Sequence, residues 1–306
     1  LSDAADTRTR SVHALDVGGT HVNAAIVEIT GSESRIVGRA GHDLDSAGAR
    51  EDVLEGLVRA ALELKVDGEE MDLAIAMPGP FEYATGHGTF VGVGKFGSIA
   101  GVDLRAEFSK RLGTSPERVR FVNDADAYGL GEWAFGGVGR PDRLVCVTLG
   151  TGVGSAFIDR GTAVDSGPEV PVDGEAHLLT YRGLPLEESV STRAILRAFT
   201  QATSKMYDVR RIAEVARGGD SEARAVLDAA MRALGTAMAP WLVSFGASVF
   251  VVGGSMAKSW DILEAPLVAA LHEASSALDD LVIRPSTLFD DSPLLGAAEW
   301  LVRTTP

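Results

Sequence analysis

One pattern occurs twice in this chain and constrains its fold more than any other feature. "ALDVGGTHVNAAIVEI" (14–29) and "VCVTLGTGVGSAFIDR" (145–160) share one grammar: an apolar strand, a glycine–threonine turn, small residues, and a second apolar strand. Glycine lets the backbone reverse tightly because no Cβ blocks the approach. Two copies near the starts of two halves imply a duplicated domain with a cleft between the copies. Strand and helix patterns alternate around them. "DLAIAMPGP", "RVRFVND" and "SVFVVGG" read as strands, and "REDVLEGLVRAALELK" places Val53, Leu54, Leu57, Val58, Ala61 and Leu62 on one helical face. "DLRAEFSKRLG" reads as a helix ended by Gly113, and further helices are expected over 187–205, 209–217, 220–244, 258–277 and 293–303. Such alternation argues for α/β sheets flanked by helices.

The turns also carry chemistry. Backbone N–H groups in a glycine turn can surround an anion, and a threonine adds a hydroxyl donor. Asp16 would repel a phosphate directly but can hold Mg²⁺ through its waters. "DVGGT" therefore suits a metal-bound nucleotide and "LGTGVGSA" suits phosphates. Neither is a Walker loop, since no Gly-Lys-Ser/Thr follows, and neither is a dinucleotide fingerprint, since each leads into a strand. In "FVNDADAYGLGE" (121–132) an apolar strand ends in Asn123, Asp124 and Asp126. Asp124 reads either as the cap of the following helix or as a base at a strand's C-terminal end. Asn123 would orient an acceptor hydroxyl, and Asp126 is left as a cap or a surface carboxylate. Glu175, His177 and Glu187 in "DGEAHLLTYRGLPLEES" either line a polyol site or are ordinary loop polarity. Lys95 and Arg182 fit no phosphate-binding pattern.

A chain of 306 residues is long enough for two domains, and a net charge of −15 disfavours nucleic acid and anionic membranes as partners. The one cysteine, Cys146, lies in an apolar run, which excludes an internal disulfide and points to a reducing compartment. The polar opening "LSDAADTRTRS" has no apolar signal core, and the longest apolar run (240–254) is too short for a bilayer. A soluble, cytoplasmic protein is expected.

With these pieces together, the chain resembles the ROK sugar kinases, glucokinase-like members of the actin/hexokinase ATPase superfamily. The likeness runs nearly end to end, through "DVGGT", "MPGP", "VNDADAYGLGE", "LGTGVGSA", "VFVVGGSMA" and "LLGAAEWL". It implies two actin-like (ribonuclease H-like) α/β domains with an interdomain cleft: 1–123 completed by a C-terminal helix at 291–306, and 124–290. It implies ATP with Mg²⁺, and transfer of the γ-phosphoryl group to a hexose hydroxyl, usually the 6-OH. Asp124 becomes the general base and Asn123, Glu175, His177 and Glu187 the sugar ligands. Gly18, Gly19, Thr20, Thr151 and Gly152 become phosphate-loop positions, with Gly253 and Gly254 on the adenosine side and Asp16 toward Mg²⁺. A homodimer is common in such proteins.

Three departures stand out. The family often has a cysteine-rich zinc hairpin after its histidine, but "HLLTYRGLPLE" has no cysteine, so no zinc site is expected. The usual Glu-x-Gly-His is shortened to "GEAH", and the sugar loop reads "FVGVGKFGSIAGVDL", with glycine near positions 92–94 where an amide is common. A lost amide weakens plain glucose or makes room for a substituent, so the acceptor is expected to be glucose or a glucose-like amino sugar such as kanosamine. A ROK-type sugar-responsive repressor is disfavoured by the acidic charge and by only 15 residues preceding Asp16. A non-catalytic sugar-binding module is disfavoured by Asp124 beside both turns. ATP and polyphosphate remain open as donors.

Overall fold

The computed structural model describes residues 8–66, 68 and 70–305; the polar segment 1–7 lies outside them. In chain order the first elements are β1 (Arg10–Val17), β2 (His21–Thr30), β3 (Glu33–Asp43), α1 (Arg50–Leu64) and β4 (Leu73–Met77). The two-residue strands β5 (Phe81–Glu82) and β6 (His87–Gly88), then α2 (Leu104–Leu112), β7 (Val119–Asn123) and α3 (Asp124–Phe135) follow. Next come β8 (Arg143–Leu149), β9 (Val153–Asp159), β10 (Thr162–Ala163), β11 (Thr180–Tyr181) and β12 (Leu184–Pro185). The helices α4 (Glu187–Val190), α5 (Thr192–Thr203), α6 (Val209–Arg217) and α7 (Ser221–Phe245) precede β13 (Val249–Gly253), α8 (Trp260–Ala274), β14 (Val282–Pro285) and α9 (Ser292–Thr304).

The described residues form two compact units: one from those up to Phe135 with those from Asp290 onward, the other from Gly136–Phe289. Each has a five-stranded sheet of the same design. The first runs β3-β2-β1-β4-β7 and the second β10-β9-β8-β13-β14. In both, an antiparallel hairpin built on the glycine turn continues into two parallel strands. The duplication read from the two glycine patterns is thus a duplication of sheet topology. The parallel strands β4 (LAIAM) and β13 (VFVVG) are buried at every position. That is why they read as unbroken apolar runs: both faces are covered.

Local rules set the helices. In α1, Val53, Leu54, Leu57, Val58 and Ala61 are buried on one face. Asp103 caps α2 by accepting from the Ala106 N–H, and Gly113 at φ 63° ends it. The helix expected over 187–205 is broken into α4 and α5 at Ser191, whose hydroxyl caps α5 on Ala194. Strand β3 has no clear signal in the sequence. Its burial alternates between exposed and intermediate without one fully buried residue, so it has too little apolar contrast to stand out.

The boundary between the units differs from the expected break after residue 123. Helix α3 belongs with the first unit because it packs backbone to backbone against α9. A Cβ on Gly131 would lie 2.1 Å from the Ser292 carbonyl oxygen, and one on Gly296 1.7 Å from that of Ala127. Glu132, fully buried, accepts from the Ser292 hydroxyl across the same interface. Substituting Gly296→Ala forces these helices apart and is expected to cost about 1–3 kcal/mol or more. Gly97→Ala, at a non-left-handed glycine with nothing within 4 Å, is the control and should stay within about 0.5 kcal/mol. Denaturant unfolding of both variants checks this.

Candidate active site

In the first unit the site is built by strand register. Asp16 of β1 stands beside Ala76 of β4, which stands beside Val122 of β7. All three strands run parallel, so their C-terminal ends open on one edge, where α/β sheets gather polar groups. Asp16, the turn 18–20, Asn123 and Asp124 all lie there.

The turn itself has a one-sided hydrogen-bonding pattern. The Gly18 N–H closes it on the His21 carbonyl at 2.9 Å. The carbonyls of Gly19 and Thr20 are taken by the N–H groups of Ser46 (3.4 Å) and Leu44 (2.8 Å). Among the described residues the N–H groups of Gly19 and Thr20 have no partner. Acceptors engaged and donors free is the condition for binding an anion. A side chain on Gly18 would meet the His21 ring at 3.1 Å.

Asp124 opens α3, yet the cap is Asn123. The Asn123 Oδ1 accepts from the N–H groups of Ala125 (2.9 Å) and Asp126 (3.1 Å), while its Nδ2 donates to the Tyr83 hydroxyl at 2.9 Å. Tyr83 in turn donates to the Met77 carbonyl. This leaves Asn123 one N–H for a ligand. Asp124 Oδ1 accepts from the Ala125 N–H at 2.9 Å, and the residue's own backbone N–H also favours the carboxylate. Burial raises its pKa, opposed by the positive charge of Lys95 and by the backbone donors at the helix start.

Asp16 is perturbed in the same direction. Burial, then the charge of Asp124, with a further contribution from Asp290, raises its pKa to about 7. A hydrogen bond from Asn23, its cross-strand partner, works the other way. Asn23 fits because its own neighbour on β3 is Gly41, where a Cβ would lie 3.0 Å from the Asn23 Oδ1.

The second unit repeats the turn. The Gly150 N–H donates to the Gly152 carbonyl at 3.0 Å, and the Gly150 carbonyl accepts from Thr192 at 2.8 Å. The N–H groups of Thr151 and Gly152 have no partner among the described residues. Gly254, at φ 79°, lies so close to this region that a Cβ would sit 2.4 Å from the Leu149 carbonyl oxygen. Gly253 pairs with Thr148 beside it. Glu187, at the start of α4, has its Oε2 3.2 Å from where a Gly152 Cβ would be and pairs with Arg193 at 2.6 Å. Glu175 and His177 form their own half-exposed pair at 3.3 Å. Ser155 of β9 anchors that loop, donating to the Gly174 carbonyl and accepting from the Ala176 N–H. Within this unit Glu187, Thr151, Gly152, Gly253 and Gly254 therefore cluster. Glu175 and His177 form a separate pair.

The ROK family model matches residues 12–304. The chain belongs to the ROK family. The glucokinase of Thermotoga maritima is 26% identical over 93% of this chain and 95% of its own length. The N-acetylmannosamine kinase of Haemophilus influenzae is 25% identical, covering 94% of each chain. A ROK family glucokinase from Streptomyces griseus, solved in complex with glucose and AMPPNP, matches with a TM-score of 0.73 at 20% identity. It covers 96% of this chain and 100% of that one. The fold is the mixed α/β, actin-like ATPase fold shared by ROK sugar kinases.

Against that family background the donor set can be tested for metals. Among the described residues no group of three or more His, Cys, Asp or Glu side chains is placed to hold an ion. A zinc ion, which needs about four protein ligands, does not fit. Mg²⁺ does fit, because it takes one or two carboxylates and keeps waters and substrate phosphates for the rest. The mutual repulsion of Asp16 and Asp124 is the mark of an edge suited to a cation.

Three side chains have a role here that the sequence does not reveal: Lys95, whose charge favours ionised Asp124, Tyr83 holding Asn123, and Asn23 holding Asp16. Only Lys95 had a visible signal, a single cation between glycines in "VGVGKFG". Tyr83 and Asn23 act through partners that the fold brings near.

The Asp16 shift has a consequence for stability. Its folded pKa (about 7) lies above the ordinary 3.8, so between those values the folded state holds a proton that the unfolded state has lost. Stability then falls as pH rises from about 4 to 7. Asp16→Asn removes the penalty and is expected to raise the melting temperature of ligand-free protein at pH 7.5, with the gain shrinking toward pH 4. Calorimetry across that range checks it; a gain independent of pH would contradict it.

Proposed function

We propose that the protein is a hexose kinase that transfers the γ-phosphoryl group of ATP to a sugar hydroxyl, the 6-OH, with Asp124 as general base. The observation that carries this reading is the division of labour at the start of α3. Asn123 caps the helix, so Asp124 keeps a carboxylate oxygen for the acceptor, beside a turn with free N–H donors and a cation. Phosphoryl transfer asks for those parts: an aligned acceptor, a base at its proton, and positive charge for the phosphate oxygens.

In this scheme Asp124 takes the hydroxyl proton and the remaining Asn123 N–H orients the hydroxyl. The donors of Gly19 and Thr20 are assigned to phosphoryl oxygens, and those of Thr151 and Gly152 in the second unit keep the phosphate-loop role that the family resemblance gives them. Gly253 and Gly254 leave the backbone bare for the adenosine side. Asp16 would hold Mg²⁺ through water, and the ion when bound neutralises phosphate charge. Glu175, His177 and Glu187 are assigned to the sugar's other hydroxyls. The expected effect of Asp124→Asn is a fall in kcat of at least about 10² with sugar affinity retained. Coupled ADP release together with calorimetric sugar binding measures both, and a near-normal turnover would remove Asp124 from the mechanism.

The loop before α2 supports a substituted acceptor. Gly92 (φ 79°) and Gly94 (φ 66°) are exposed and have nothing within 4 Å of an added Cβ. The loop therefore offers backbone and space where an amide would pair with a ring hydroxyl. Lys95 places its charge beside Asp124. For a sugar with its 6-OH at that base, the 3-position is across the ring, so an ammonium there is not opposed at close range. In a panel of glucose, mannose, glucosamine, N-acetylglucosamine and 3-amino-3-deoxyglucose (kanosamine), the last is expected to match or exceed glucose in kcat/KM. A glucose lead of tenfold, about 1.4 kcal/mol, would exclude the substituted-sugar reading.

A further inference from the structure

Lys95 sits in a segment fixed against the first glycine turn. The Phe96 N–H donates to the Ser46 carbonyl at 2.8 Å, and the Ser46 N–H donates to the Gly19 carbonyl at 3.4 Å, so Ser46 staples the two loops together. Phe96 is fully buried against Phe90, with ring centroids 5.2 Å apart, although its φ of 61° is a left-handed conformation that aromatic residues rarely adopt. The strain persists because burial of the ring holds the backbone. Its effect is to aim the residue before it. The Lys95 Cδ lies 3.5 Å from where a Gly19 Cβ would be, in van der Waals reach of the turn, so the lysine stem lies over it. From there the positive charge of the ammonium favours the ionised form of Asp124. Among the described residues it closes no ion pair within 4.0 Å and no hydrogen bond.

A cation laid over an anion-ready turn, beside the proposed base and with its donors unused, is placed for a ligand. We propose that Lys95 receives the phosphoryl group in transit, between the free N–H groups of Gly19 and Thr20 and the carboxylate of Asp124. This rests on the kinase reading. In the transfer the acceptor oxygen forms its bond to phosphorus as the bond to the ADP oxygen breaks, ADP leaves with that electron pair, and the hydroxyl proton goes to Asp124. Charge gathers on the three equatorial oxygens, where the ammonium neutralises it without moving.

Lys95→Met keeps the stem's length and removes the charge; Lys95→Arg keeps the charge. Lys95→Met is expected to lower kcat about 10²-fold while the sugar KM stays within about threefold. By calorimetry it should weaken Mg-AMPPNP about tenfold and leave Mg-ADP nearly unchanged, because only the former presents a third phosphoryl group. Lys95→Arg should recover much of both losses. Equal weakening of the two nucleotides, or unchanged turnover, would overturn the assignment. A wild-type protein that phosphorylates no sugar would instead overturn the kinase reading. If Lys95→Met unfolds at the assay temperature, Lys95→Gln is read by the same nucleotide ratio.

Discussion

The parallel pairing of β1 with β4 and of β4 with β7 is the constraint on which the first unit's chemistry depends. Residues 16, 76 and 122 are far apart in the chain, yet the register sets them side by side. Asp16 and the pair Asn123–Asp124 then emerge from one sheet edge. The buried run of β4 makes this possible, because a strand apolar on both faces sits between two others. Everything polar at the edge is placed by that apolar centre.

The edge carries a cost that a folding optimum would avoid. Asp16, Asp124 and Asp290 crowd one region, and burial and repulsion drive the Asp16 pKa to about 7. Neighbours compensate in part: Asn23 hydrogen-bonds Asp16, and Lys95 with the start of α3 favours the charged form of Asp124. The left-handed Phe96 is a second local cost next to the same turn. Perturbed carboxylates and backbone strain gathered at one place are features of functional sites.

Close backbone approach is the other recurring device. Gly131 and Gly296 bring α3 onto α9, and Gly254 brings the end of β13 onto Leu149. Each excludes a Cβ for a different neighbour. The first pair decides which unit owns α3, and with it which unit owns the proposed base.

Local rules determined much of this protein from sequence alone. The two glycine hairpins, the amphipathic face of α1, the Asp103 cap and the Gly113 stop are written within a few residues of where they act. The edge strand β3 was not legible, since its half-exposed pattern lacks apolar contrast. Other decisions belong to the tertiary structure because they are made by partners distant in the chain. Tyr83 and the α3 backbone together engage Asn123 as the cap and leave Asp124 partly free. Ser46 links the Lys95 loop to Gly19, so a cation that fits no sequence pattern comes to act on Asp124, the proposed base. Helix α9 draws α3 into the first unit through two bare glycines, Gly131 and Gly296, that lie far apart in the chain. Sequence carries the periodicity and turn chemistry of each segment, whereas the identity of a side chain's neighbour exists only once the sheet has closed its register.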